Sequence, residues 1–162
     1  MANQELTFGE EEFIVSKTDL KGKITYGNAL FIKISGYDEA ELINQPHNIL
    51  RHSDMPAIVF KLLWKEIQAG NEIFAYVKNK NKNGDYYWVF AHVTPSFDSN
   101  RRICNYHSVR RKPSAKALNV IKPLYATLLQ KEKSEGINAS EALLFQVLKD
   151  KGLTYDEFIL SL

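Results

Sequence analysis

The sequence predicts an α+β domain: a five-stranded antiparallel sheet with short helices on one face, followed by a helical C-terminal extension. Three observations predict it. Two strand-like segments precede Asn28 and three follow Asn71, with helical spacing between the two groups. The last three are joined by short turns of hairpin composition, which makes them antiparallel neighbours. Beyond Lys112-Pro113 the pattern is helical only.

Glu12–Ser16 is a short apolar stretch of strand formers, Thr18–Gly22 (TDLKG) a turn, and Lys23–Gly27 (KITYG) a second strand. From Asn28 to Ser35, Leu30, Phe31 and Ile34 recur at helical spacing, and Gly36 ends the segment. Asp38 caps one further helical turn through Leu42. The clearest helix is DMPAIVFKLLWKEIQAG. Ser53 or Asp54 can cap it, Pro56 suits its first turn, and Gly70 stops it. Its apolar stripe is Val59, Leu62, Leu63 and Ile67, with Trp64 alongside. Strands are expected over Glu72–Lys80, Tyr86–Phe97 and Arg102–Arg110, with turns at Asn81–Asp85 and Asp98–Asn100. Asn-Gly and Ser-Asn supply the positive φ angles of such turns. In the extension a helix starts at Ala115 and breaks at Pro123, which can also open the next one. Gly136 interrupts, Ser140 caps Glu141–Lys149, and Thr154–Glu157 is a capping box for a last helix. The expected division is an N-terminal segment (1–11), a sensor domain (12–112) and the helical extension (113–162).

Hydrophobic residues make up 44% and charged residues 25%, enough for a core without staples. A net charge of +2 does not favour nucleic acid or an anionic membrane as partner. With Cys104 as the one cysteine, an internal disulfide and a multi-thiolate zinc site are excluded. The acidic N-terminus lacks a signal pattern, and no apolar run reaches the ~20 residues of a membrane span. The expectation is a cytoplasmic protein with no direct membrane insertion, able to reach a membrane receptor by docking.

Alternation along the late hairpin places Ile73, Ala75, Val77 and Asn79 on one face, opposite Tyr87, Val89, Ala91 and Val93. Small and branched apolar groups around one amide suit the wall of a cavity for a planar ligand. An ordinary core strand with Asn79 at its frayed end would read the same way. Phe74, Tyr76, Trp88 and Phe90 share the other face and need a cover: the chain's own termini, a second copy or a receptor. Arg51-His52-Ser53-Asp54 sets a cation and a titratable ring before a helix N-terminus, where a phosphate could be held; a capped, solvated helix start is the plainer alternative. His52 could also ligate haem iron, while His47, His92 and His107 read as surface or satisfied core positions. Arg110 shares a face with Ser108 and could reach a pocket, though a solvated strand end explains it more simply. No phosphate-binding glycine loop, nucleophile elbow or dinucleotide fingerprint is present, so no enzyme activity is expected.

The run HNILRHSDMP, followed by VKNKNKNGDYYWVFAHVTP, resembles the flavin-binding PAS domains of bacterial aerotaxis receptors (the Aer type) and of free-standing energy-taxis proteins, over roughly residues 12–112. The resemblance implies a PAS fold and noncovalent FAD as a redox sensor. It also implies a chemoreceptor or other signalling protein as partner, and homodimerisation. Arg51, His52 and Asp54 match the RHxDMP motif implicated there in cofactor binding, Asn28 the helix-start Asn, and Asn79 the strand Asn that meets the flavin edge. Trp64 lies on the helix beside the motif. At Ile73 the chain departs from the aerotaxis receptors, which carry Trp there, and that bears on how FAD is retained. Light-sensing flavin PAS domains need a cysteine where this chain has Ile49, so a photoadduct is not expected.

Overall fold

The computed structural model describes residues 3–162; Met1 and Ala2 of the expected N-terminal segment lie outside the described residues. Five antiparallel strands, β1 (Ile14–Thr18), β2 (Ile24–Gly27), β3 (Ile73–Lys80), β4 (Tyr86–Phe97) and β5 (Ile103–Arg111), form one sheet in the order β2-β1-β5-β4-β3. Between β2 and β3 run α1 (Ala29–Ser35), α2 (Glu39–Leu42), a 3₁₀ turn (His47–Leu50) and α3 (Ala57–Gln68). After β5 come α4 (Ala115–Glu135), α5 (Ile137–Lys151) and α6 (Tyr155–Leu160). The predicted α+β architecture is therefore the observed one.

Local chemistry sets most of these boundaries. The Asn28 side chain accepts the Phe31 N–H and caps α1, and Gly36 ends it at φ 74°. Asn81 Oδ1 accepts from Asn83 and Asp85 N–H and folds the β3–β4 turn, with Gly84 at φ 87°. In the β4–β5 turn Asp98 Oδ1 accepts from Asn100 and Arg102 N–H, and the left-handed residue is Arg101 (φ 61°) rather than Ser99 or Asn100. Three expectations in helices need correction. Pro56 is the cap residue of α3, not its first turn, and neither Ser53 nor Asp54 caps it. α4 runs unbroken through Pro123. Ser140 lies inside the first turn of α5, which begins at Ile137. The capping box at Thr154–Glu157 opens α6 as expected.

α1, α2 and α3 lie on the inner face of the sheet. The outer face is covered by the chain itself over its β3–β4 half. Ala117, Ile121, Tyr125 and Leu128 form one buried stripe of α4, and with Phe158 and Ile159 of α6 they join the core that holds Tyr76 and Trp88. Each fully buried side chain of this size contributes ~1.5–3 kcal/mol. An interface between two copies through these aromatics would compete with the chain's own helices. The N-terminal segment pairs in parallel with the start of β4, beyond the reach of β5: Leu6 N–H donates to Tyr86 O (2.7 Å) and Tyr86 N–H to Gln4 O (3.0 Å). Among the described residues no helix is long and apolar enough to cross a membrane.

Candidate functional site

A cavity of about 380 Å³ lies between the inner face of the sheet and α3. Its floor is Val77, Asn79, Ala91, Val93, Ser108 and Arg110, its roof Phe60, Leu63, Trp64 and Ile67 of α3. That roof spacing of three, four and seven residues is one helix face. Trp64 meets Tyr106 edge-to-face at 5.6 Å. Gly22, at φ 83°, brings the backbone so near that a Cβ there would stand 3.0 Å from the Trp64 ring, so a larger residue would displace a roof side chain. Lys21 and Asn48 line the cavity while exposed to solvent, which marks its open side.

Polar chemistry concentrates on Arg110, which is 4% exposed and has no carboxylate partner. Its Nη2 donates to Ser16 Oγ (2.7 Å) and its Nη1 to His47 Nε2 (3.1 Å), and Ser16 Oγ lies 3.1 Å from the same Nε2. With Nε2 accepting, the His47 proton sits on Nδ1. Burial, then the charge of Arg110, pushes the His47 ring down to about 3, so it stays neutral. Burial also lowers Arg110 to about 10, which leaves it charged at neutral pH. The guanidinium lies 5.2 Å from the Phe31 ring centroid. A second guanidinium, Arg51, stacks on Phe60 at 3.8 Å. The Nε atoms of both arginines and the Tyr87 hydroxyl are buried without hydrogen-bond partners. Burial drives Tyr87 up to about 12, with the Arg110 charge pulling the other way. Among the described residues no Asp or Glu lines the cavity, so its charged lining is positive.

Of the residues singled out from the sequence, Arg51, Trp64 and Asn79 line the cavity together. Asn79 is 6% exposed and bridged through its backbone to Arg51, so it is not a frayed strand end. Asn28, His52, Asp54 and Ile73 do not line it. The Asn28 amide is consumed locally, accepting from Val15 and Phe31 N–H and donating to Phe13 O. Ile73 is wholly enclosed in the core. His52 and Asp54 instead grip β3, an edge strand with outward-facing groups to satisfy. His52 N–H donates to Lys78 O (3.4 Å), Lys78 N–H points at Met55 Sδ (3.2 Å), and Lys78 Nζ donates to Asp54 Oδ2 (2.7 Å). RHSDMP thus closes the edge of β3 and fixes the neighbouring Asn79. A phosphate at the start of α3 also finds its donors taken, since Glu132 of α4 accepts from Ala57 and Ile58 N–H.

Arg110, His47 and Ser16 are the cavity residues that sequence reasoning undervalued. Two-residue alternation did set Arg110 beside Ser108, which was the available signal. Its acceptors come from β1 and the 3₁₀ turn, 94 and 63 residues away. Cys104, exposed on β5, is no part of the lining.

Comparison with known proteins agrees with this geometry. Residues 24–110 match the family described as PAS fold. The chain is 36% identical over 128 residues to the aerotaxis receptor of Escherichia coli (strain K12), covering 79% of this chain and 25% of that protein. It is 27% identical over 97 residues to the nitrogen fixation regulatory protein of Klebsiella pneumoniae, covering 60% and 20%. The chain therefore spans a quarter or less of the length of these relatives. Among solved structures, the light-state LOV domain of the blue-light photoreceptor aureochrome 1 superimposes with a TM-score of 0.56 at 23% identity, covering 77% of this chain and 92% of that one, a likeness of fold.

Proposed function

The chain belongs to the PAS fold family, and we propose that it is a sensory protein, not an enzyme, that binds FAD noncovalently in the cavity beneath α3 as a redox sensor for energy taxis. The observation that carries this reading is the cavity itself: apolar and aromatic walls, the polar residues Arg51, Arg110 and Asn79, and no Asp or Glu among the described lining residues. A planar ring system with acceptors on its edge suits such a site, because a few donors set among apolar and aromatic walls fix the orientation of a flat ligand. Bound there, FAD would supply a redox centre whose charge changes on reduction. Arg110 and Asn79 would hold its edge, Phe60 and Trp64 would cover it, and Lys21 at the rim would favour its phosphates. The similarity to an aerotaxis receptor supports a chemoreceptor or related signalling protein as partner, with docking from the cytoplasm. A homodimer remains compatible with the sheet surface that α4 and α6 leave open.

The absorption spectrum of the purified chain tests the reading. Flavin bands support it. A Soret band would transfer the site to haem, with His47 or His107 as ligand, since His52 is not in the lining. A colourless protein that takes up no added FAD would leave a cofactor-free interaction module. Where FAD is bound, Asn79→Ala removes an edge contact without touching the Arg110 cluster. Loss of a hydrogen bond worth ~1–1.5 kcal/mol weakens FAD binding about tenfold, and unchanged affinity would remove Asn79 from the site.

A further inference from the structure

We propose that Glu132 is a positioning residue for the cavity, coupling the docking of the α4–α5 hairpin to the filling of the site through the N-terminus of α3. The proposal rests on the reading that the cavity under α3 is the ligand site. α3 begins at a proline cap residue with no acceptor side chain, and Asp54 is engaged by Lys78. The first free N–H groups of the helix are satisfied from across the molecule instead. Glu132 accepts from Ala57 N–H with one carboxylate oxygen (2.8 Å) and from Ile58 N–H with the other (3.0 Å). A carboxylate is well matched to the positive end of a helix. Glu132 is in turn held by the fully buried Ser140 of α5, whose hydroxyl donates to it at 2.8 Å. One turn further along α3, Lys61 pairs with Glu141 of α5 at 2.5 Å.

The helix held by these contacts is also the roof of the cavity, through Phe60, Leu63, Trp64 and Ile67. α3 cannot tilt to admit or release a flat ligand without stretching two bonds to Glu132. A ligand that favours one placement of α3 therefore favours one state of the hairpin, and the hairpin must act on the ligand's affinity by the same factor.

Amide hydrogen exchange on the full chain, with FAD as probe, tests this in the wild type, Glu132→Ala and Glu132→Gln. In the wild type, added FAD is expected to slow exchange at Ile58 and across the first turns of α5. Glu132→Ala should speed exchange at Ala57 and Ile58 about tenfold or more. It should also abolish the response of α5 to FAD and weaken FAD binding by about 5–150-fold. Glu132→Gln keeps one acceptor oxygen, and its intermediate behaviour would exclude simple misfolding. Identical exchange in α5 with and without bound FAD, or wild-type FAD affinity in Glu132→Ala, overturns the proposal. Failure of FAD to bind the wild type overturns the flavin reading alone. Ala91→Leu then enters the cavity from the sheet side in its place: an exchange change at α5 that depends on Glu132 supports the coupling, and no change overturns it.

Discussion

Arg110 concentrates the unusual energetics of the chain into one side chain: a buried cation whose neighbours are a hydroxyl, a neutral imidazole and an aromatic ring. Removing a partner from such a group is costly, because a charge is left without its hydrogen bonds. The neutral state of His47 has a consequence for pH. The ring titrates near 3 when folded and near 6.5 when unfolded, so the unfolded chain takes up a proton that the native chain refuses. Stability attached to His47 is complete above about pH 6.5 and is lost as pH falls toward 3, by up to ~1.4 kcal/mol per pH unit. His52 and His107, also lowered by burial, act in the same direction. Urea midpoints from pH 7 to pH 5 should fall in the wild type and flatten measurably in His47→Gln; equal slopes would remove His47 as the source. The Ile73 side chain is fully enclosed. Ile73→Trp should overpack the core and lower stability by ~1–3 kcal/mol, as read by chemical denaturation.

At the scale of elements, β3 is the strand on which most depends. It carries Asn79 into the cavity, yet it is a sheet edge whose outward carbonyls need partners. Two tyrosines from the extension supply them: Tyr125 donates to Tyr76 O at 2.6 Å and Tyr155 to Phe74 O at 2.9 Å. RHSDMP completes the row at Lys78. Tyr125→Phe keeps the ring and strands a buried carbonyl, so it should cost ~1–3 kcal/mol. Asp54→Ala removes an ion pair whose carboxylate is 59% exposed, and its effect on unfolding should stay below ~1 kcal/mol. A larger loss for Asp54→Ala than for Tyr125→Phe would contradict this account of the edge. In α4, Pro123 is exposed within a continuous helix, where it removes one hydrogen bond. Pro123→Ala should raise the denaturation midpoint by the equivalent of ~1–3 kcal/mol; a lowered midpoint would mean that the helix needs its proline. The α3 stripe and the two hairpins were legible because they follow local rules of period and turn chemistry. The caps of α3 and β3 were not, because Glu132, Tyr125 and Tyr155 reach them across 49–81 residues of chain.

For the whole molecule, the C-terminal helices are part of the core rather than an appended domain. Ala117, Ile121, Tyr125, Leu128, Leu144 and Phe158 join the same buried cluster as the sheet. A chain ending at Lys112 would expose Phe74, Tyr76, Trp88 and Phe90 together with the edge of β3. Such a surface self-associates. Sedimentation should show oligomers or aggregates for that truncation, and a stable monomer would show that the extension is dispensable.

The sequence by itself determined the α+β class, the strand order in time, the turns and the family, because alternation, helical period and a contiguous motif are properties of neighbouring residues. It also singled out Arg51, Trp64 and Asn79, and the fold sets all three along the cavity. Only the tertiary structure decided that His52 and Asp54 secure an edge strand, that Arg110 is a buried cation, and that Glu132 caps the helix over the site. Those roles depend on which distant group completes a hydrogen bond, and a burial cost of that kind is set by the packed molecule, not by the order of its residues.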